Sequence, residues 1–332
     1  MAGSLTAARN RRVSVDWATR WRQAAIILGA VVAASTVLGF FGEWWWGFDL
    51  LANFRTQLLV AGVFTTFALW GLGEKLWTLL VVASVVLNVA VIVPLYVGRP
   101  AVPVTAHRLT LAHLNLQGRT TEPDDIMAAA AANELGDVFV LVEPTRGWNK
   151  LLVDKMSDYQ VVELGGRADA LIFTRLPLER VGRPTEPGLP DISVSFVIAA
   201  PEGPITVLAA DASSPGTPLE GHNRDLELDA MARWRAAQTG RVVMLGDWNV
   251  TPWSAAFRDL TEATGLHSAE AGFGVVPTWP AMAGPLGLPI DHQLHTPELV
   301  ATDVHTGPSY GSAHRSFFVD YASAASGSTP GS

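Results

Sequence analysis

Three long stretches without a charged side chain fix the organisation of this sequence before any motif is considered. They are Ala24–Gly42, Thr56–Gly73 and Leu76–Gly98, of 19, 18 and 23 residues. A helix that crosses the bilayer core needs about 20 apolar residues, with a range near 17–25. Helices packed on a soluble core carry a polar face, which these stretches lack. They therefore predict three transmembrane helices. The length of the first run, the lack of a small-residue cleavage site after it and the two further runs argue against a cleaved signal peptide. No ionisable residue lies inside the runs, which points to an anchor rather than a transport pathway.

Basic side chains set the expected orientation. Arg9, Arg11, Arg12, Arg20 and Arg22 precede the first run. The loop Glu43–Arg55 holds one Arg, two acids and the belt-like Trp44, Trp45 and Trp46, and the next connection is the tight Glu74–Lys75 turn. The N-terminus is thus expected in the cytoplasm and everything after Arg99 outside it. Charge divides at the same place: residues 1–99 hold 8 basic and 4 acidic residues, and residues 100–332 hold 15 and 27. The chain is 49% hydrophobic and 16% charged, a composition that excludes intrinsic disorder. It has no cysteine, which excludes disulfides, thiolate metal sites and cysteine nucleophiles. The expected layout is a basic N-terminus over 1–23, an anchor over 24–98, a Pro-containing linker over 99–106, a polar domain over 107–322 and a disordered Ser/Gly/Ala/Pro tail over 323–332.

The polar domain alternates strands and helices. Strands are expected at Arg108–Leu114, Asp137–Val142, Asp169–Thr174, Ile192–Ala199, Ile205–Ala210, Arg241–Leu245, Ile290–His295, Ala301–His305 and Phe317–Tyr321. Helices are expected at Pro123–Glu134, at Asn223–Thr239 and from an N-cap at Ser254 to about Thr264. The pattern is that of an α/β domain, either two stacked sheets with helices outside or a doubly wound sheet.

The sharpest local pattern is Gly246-Asp247-Trp248-Asn249, directly after the apolar strand. Glycine lets the chain turn at a strand end, and a carboxylate with an amide can hold a hard metal or activate water. The same residues also make a good turn. Other polar residues end apolar runs in the same way: Asn115, Glu143 and Asp211, with Asp291 in Pro-Ile-Asp-His and His314 in Gly-Ser-Ala-His-Arg. Such groups converge on one rim of a sandwich, although each alone can be a structural cap.

As a set these residues resemble the endonuclease/exonuclease/phosphatase superfamily, over about Thr110–Tyr321. The order is Asn, then Glu about thirty residues on, Gly-Asp-x-Asn, an Asp, and Ser-x-His near the end. Three N-terminal spans before such a domain, together with Pro277-Thr278-Trp279-Pro280, resemble the membrane-bound VanJ type. The resemblance implies a four-layered α/β sandwich (DNase I-like) that hydrolyses phosphate esters with Mg²⁺ or Mn²⁺. It implies Glu143 and Asn115 as metal ligands and Asp247 as the group that orients or deprotonates water. Asn249 would contact the scissile phosphate, and His314, held by Asp291, would stabilise charge on phosphate oxygen. Two positions depart from the pattern. Ala313 stands where the family usually has Asp, and Asp211 where it usually has His. Asp211 is expected to restore metal charge if it points inward, and His222 to supply the missing donor.

Arg224 and Arg315 are candidate phosphate clamps or surface ion-pair partners. Trp248, Trp253 and Trp279 are expected either in the core or as a wall for an apolar or isoprenoid-like group. His107, His113, His267, His292, His295 and His305 are expected to be structural. The leading expectation is a membrane-anchored phosphohydrolase acting outside the cytoplasm on a lipid or polyprenyl (pyro)phosphate, or another small-molecule phosphate. The acidic domain argues against nucleic acid, although an extracytoplasmic nuclease stays open. The alternative from another class is a catalytically degenerate member that binds a phosphorylated lipid or a protein partner.

Overall fold

Apolar runs ended by polar residues build two six-stranded sheets packed face to face. The computed structural model describes residues 17–99, 104–117, 123–144, 156, 158–164, 169–182 and 188–324. Arg9, Arg11 and Arg12, part of the expected linker and the tail from residue 325 lie outside the described residues. The first sheet contains β1 (Leu109–Asn115), β2 (Val138–Val142), β3 (Gln160–Leu164), β4 (Ala170–Thr174), β11 (Leu299–Thr306) and β12 (Phe317–Ser323). Its order is β11-β12-β1-β2-β4-β3. The second contains β5 (Leu178–Val181), β6 (Ser193–Ala200), β7 (Gly203–Asp211), β8 (Arg241–Asp247), β9 (His267–Ser268) and β10 (Asp291–His295). Its order is β5-β6-β7-β8-β10-β9.

Each sheet has one parallel pair, β1–β2 and β7–β8, and is otherwise antiparallel. A parallel pair requires a crossover. Helix α5 (Pro123–Ala131) lies within the first crossover and α6 (Pro218–Ala236) within the second. Helix α6 starts at Thr217, whose side chain accepts a bond from the Glu220 amide. Side chains alternate across each strand. Leu111, Val140 and Ile172 of one sheet meet Phe196, Val207 and Val243 of the other. Outward residues of the first sheet, such as Leu114 and Phe139, cover Ile126 of α5. Those of the second, such as Leu208 and Met244, cover Met231 of α6 and Phe257 of α7 (Ala255–Thr264). The result is helix, sheet, sheet, helix, which resolves the two expected architectures in favour of stacked sheets.

The anchor departs from three straight spans. Trp17–Trp44, which includes α1 (Trp17–Leu38), and Lys75–Tyr96, which includes α4 (Lys75–Ile92), are long and apolar enough to cross a membrane. The middle run qualifies only when α2 (Trp46–Ala52) and α3 (Arg55–Gly71) are taken together across a 65° bend. Helix α3 has 17 residues, about 25 Å at 1.5 Å per residue, just short of a hydrocarbon core of about 30 Å.

The first loop is therefore a folded elbow, and it docks on the polar domain. Asp49 accepts from the Ala255 amide at 2.6 Å and pairs with Arg224 at 3.0 Å. Asn53 Oδ1 accepts from the Thr251 amide at 3.2 Å and from its hydroxyl at 2.8 Å. Trp46 packs against Gly221 instead of joining a headgroup belt, whereas Trp44 and Trp45 are exposed. The described ends of the expected linker are packed too. Arg99 lies 4.0 Å over the Phe273 ring, and Val104 bridges to Ala324. Ser323, expected in the tail, belongs to β12.

Candidate active site

The parallel pairs set the site because their C-terminal ends share one rim. Asn115 ends β1, and Glu143 follows β2 in the left-handed region at φ 50°. Asp211 and Asp247 end β7 and β8 in register, and Asp291 opens β10 opposite Asp247. Gly246 has φ 137°, and a Cβ there would overlap the Ala210 carbonyl oxygen. Only glycine lets β8 approach β7 closely enough to hold Asp247 in this place. His314 comes from the loop before β12. The Ser312 hydroxyl ties that loop down by donating to the Asn115 carbonyl at 2.6 Å and accepting from the His314 amide at 3.0 Å.

These side chains form one connected cluster. Asn115 Nδ2 donates to Asp211 and Asp247, both at 3.1 Å. Asp247 also accepts from the Asn249 amide at 3.0 Å, and the Asn249 side chain is fixed by donating to the Ala212 carbonyl at 2.9 Å. His314 Nδ1 meets Asp291 at 2.8 Å, and its Nε2 lies 3.5 Å from Asp247. The cleft over the cluster has a volume of about 510 Å³, and Glu143 and Trp279 stand on its wall.

The sequence matches the endonuclease/exonuclease/phosphatase family over residues 100–316, more than half of its length. The chain belongs to this family. No curated protein matches it. Solved structures similar to it include humanized TDP2 from D. rerio, at 14% identity and TM-score 0.52. An AP endonuclease from Archaeoglobus fulgidus is similar at 17% identity and TM-score 0.52. The 3′ phosphatase NExo from Neisseria, bound to a product DNA hairpin, is similar at 18% identity and TM-score 0.51. Each alignment covers 64% of this chain and 98% of the other. At these identities the likeness is one of fold. The family match begins after α1–α4, so these apolar helices lie outside the matched domain.

Burial and crowding of like charge shape the electrostatics of the family domain's rim. Burial pushes the Asp247 carboxyl up to about 7, helped by Asp291 and opposed by His314, the Asn249 amide and Asn115. Asp211 is raised well above the usual range by burial and by Asp247, Glu143 and Asp291. For Asp291, burial acts upward but is outweighed by His314 and His113, so its carboxyl is held below the usual range. For His314, burial acts downward and is outweighed by Asp291 and Asp247, which raise it to about 9. The metal-free protein is therefore expected to keep His314 charged to about pH 9, against about 6.5 for an ordinary histidine. Imidazole NMR titration checks this. Asp291→Asn should lower the midpoint by about one to three units, the usual effect of one close opposite charge. A wild-type midpoint near 6.5 refutes the pairing.

The donor set fits a hard divalent cation. Asp247, Asp291 and His314 each place a ligand atom within 4.8 Å of the others. Asp291 and His314 satisfy each other, so the oxygens better suited to a hard cation are those of Asp211, Asp247, Asn115 and Glu143. Carboxylates crowded enough to raise one another gain most from a cation.

Not every expected site residue reaches the cleft. Asn115, Glu143, Asp211, Asp247, Asn249, Trp279 and His314 line it, and Asp291 lies behind His314. Arg224 is buried on α6 and engaged by Asp49 and Asp225, so it is no phosphate clamp here. His222 is exposed on the same helix, in a separate hollow beside Trp44 and Trp45. Arg315 faces a crevice shared with Leu59, Ile92 and Tyr96 of the anchor, because its amide is drawn to the Thr278 carbonyl and its guanidinium to that of Gly307. His292 is structural, bonded to Glu270 at 2.7 Å and to the Val250 carbonyl at 2.8 Å. Trp248 is fully buried, and Trp253 packs with Ala52 and Ile92 of the anchor.

Two contributors were not legible as site residues. His113 lies 3.5 Å behind Asp291, in the middle of an apolar strand. Gln117 Nε2 lies 2.9 Å from His314 Nε2, two residues beyond the β1 rim. The only sequence signal for Gln117 is its closeness to Asn115.

Proposed function

We propose that this chain is a membrane-anchored, divalent-metal-dependent phosphohydrolase that acts outside the cytoplasm on a phosphorylated lipid. The observation that carries the reading is the joining of the acidic cluster and its His314–Asp291 pair to the anchor, in one cleft that the elbow helps to line. Asp211, Asp247, Asn115 and Glu143 would hold a divalent cation, Mg²⁺ or Mn²⁺ being suited to such donors, and it would supply charge neutralisation for the phosphate oxygens. Asp247 would orient a water beside the cation and take its proton. His314, charged and held by Asp291, donates to a phosphoryl oxygen as charge builds there. Asn249, fixed by Ala212, orients the phosphate beside Asp247.

The parity of membrane crossings supports the three-span topology. Arg22, in α1, pairs with Glu74 in the turn between α3 and α4, so these two lie on one side. The elbow pairs with the family domain, so these two also lie on one side. If α1 and α4 cross, both contacts require α3 to cross as well. With the N-terminal arginines in the cytoplasm, elbow and site are then outside. The absence of cysteine allows a direct check. In intact cells a membrane-impermeant maleimide should label Glu298→Cys and leave Lys75→Cys unlabelled until the membrane is opened. Labelling of both, or the reverse pattern, rejects the topology.

The activity test is phosphate release from lipid phosphates, polyprenyl pyrophosphates and soluble sugar phosphates, with Mg²⁺, Mn²⁺ or a chelator. Release from lipid substrates should require the cation and fall at least about a hundredfold in Glu143→Ala, the scale of losing charge stabilisation at a transition state. Equal release by that variant rejects the metal assignment. A second reading, phospholipid binding without turnover, is favoured by Ala313, which removes a family carboxylate beside His314. Cation-dependent binding with no release from any substrate would select it. The net negative charge of residues 100–332 weighs against a nucleic-acid substrate.

A further inference from the structure

The cleft has two kinds of wall. One is the charged rim, and the other is apolar and comes partly from the anchor. Leu50 and Phe54 of the elbow line it together with Trp279, Leu288 and Ile290. Phe54 leaves 40% of its surface uncovered, although both its chain neighbours are buried and bonded. Asn53 holds Thr251, and Arg55 donates to the Thr36 carbonyl at 2.8 Å. The elbow backbone is thus gripped on both sides of an exposed aromatic ring. Leu50 lies near the end of α2 and Phe54 in the turn between α2 and α3, and both form part of the apolar wall of the same cleft. Phe54 also immediately precedes α3, the helix that the proposed topology sends into the bilayer.

We propose, resting on the phosphohydrolase reading, that Leu50 and Phe54 form the subsite for the first methylenes of a lipid phosphate's chain. The anchor then supplies chain recognition as well as attachment. A phosphate held at the charged rim places its ester chain against this wall, which Phe54 carries to the start of α3. Each methylene taken from water adds about a fourfold preference.

The test compares two non-hydrolysable probes, methylphosphonate and hexylphosphonate, on the full chain in nanodiscs with Mg²⁺. Calorimetry is corrected with empty nanodiscs for partitioning of the hexyl chain. The wild type should prefer hexylphosphonate by at least about tenfold, equivalent to burying two or more methylenes. The preference should collapse to within about twofold in Leu50→Ser/Phe54→Ser and largely persist in Phe54→Leu. If the double variant binds neither probe, the single Phe54→Ser variant carries the comparison, with the same collapse expected. A preference that survives both serine variants overturns the inference. Methylphosphonate binding without any chain preference in the wild type overturns it while leaving the phosphohydrolase reading intact. Failure of the wild type to bind either probe overturns both.

Discussion

Asp247→Asn should lower cation-dependent phosphate release by about 10³–10⁴-fold while leaving the metal-free fold as stable as before or more so. The change is nearly isosteric and removes a proton acceptor together with a unit of negative charge facing the cation. General-base catalysis alone contributes about 10²–10⁴-fold. The stability half follows from the direction of the shift. Asp247 is fully buried, and its carboxyl is raised to about 7 by burial and by Asp291. Between about pH 4 and 7 the folded state therefore binds more protons at this site than the unfolded state, and stability falls as pH rises through that window. The asparagine has no proton to lose and should flatten that slope. Thermal unfolding of metal-free protein at pH 5 and pH 8 measures it. Release by Asp247→Asn within tenfold of wild type would remove Asp247 from the chemistry. An unchanged pH slope would mean that its carboxyl is not the strained group. A site that destabilises its own protein is what a cation-binding cluster looks like without its cation.

His314 adds to the same trend at higher pH. Its folded-state value, about 9, lies above that of an ordinary histidine. The stability it contributes with Asp291 is present below about 6.5 and lost as pH rises towards 9. Metal-free protein should therefore be least stable in mild alkali.

The strands that carry the site were legible because buried parallel strands read as near-continuous apolar runs. Leu-Ala-His-Leu-Asn and Val-Phe-Val-Leu-Val-Glu show both the run and the polar residue that ends it. Three of the four edge strands were not. Gln160–Leu164 and Leu178–Val181 are half exposed and alternate weakly, and His267–Ser268 is only two residues long. Glycine at 246 was legible as a turn, whereas its need to clear Ala210 depends on a strand about forty residues earlier. The apolar runs were legible from composition, and two of them form helices long and apolar enough to cross a membrane. The elbow was not, because Trp44–Trp46 reads as an interfacial belt until Gly221 is brought against Trp46. Arg224 was misassigned for the same reason. A sequence shows an arginine two residues after a histidine, and its partner Asp49 lies 175 residues away in the short loop between two apolar runs.

Asp49→Ala should be the most damaging single change outside the site, costing about 3–5 kcal/mol, the usual consequence of removing one partner from a buried ion pair. Arg224 is 2% exposed, and Asp49 is its buried counter-charge at 3.0 Å. The remaining partner, Asp225, has a side chain about half exposed, so its charge is shared with solvent. The same substitution strips the Ala255 amide of its acceptor at the first turn of α7, where Ser254 already serves Phe257 and cannot serve both. For a domain of this size the cost corresponds to a fall in Tm on the order of 10 °C. Asp49→Asn keeps an acceptor for Ala255 and loses only the charge, so it should fall between Ala and wild type. The double variant Asp49→Leu/Arg224→Leu separates an ion pair from simple packing. Buried pairs replaced together by apolar residues are often neutral or better, so the double variant should recover most of what Asp49→Ala loses. A Tm within 2 °C of wild type for Asp49→Ala, or a double variant worse than the single, would show that the elbow is held by something else. Recovery of stability also sets a condition on activity. If the elbow returns to its seat without the charges, Asn53 again holds Thr251 and Phe54 again lines the cleft, and lipid phosphate release should return with the fold.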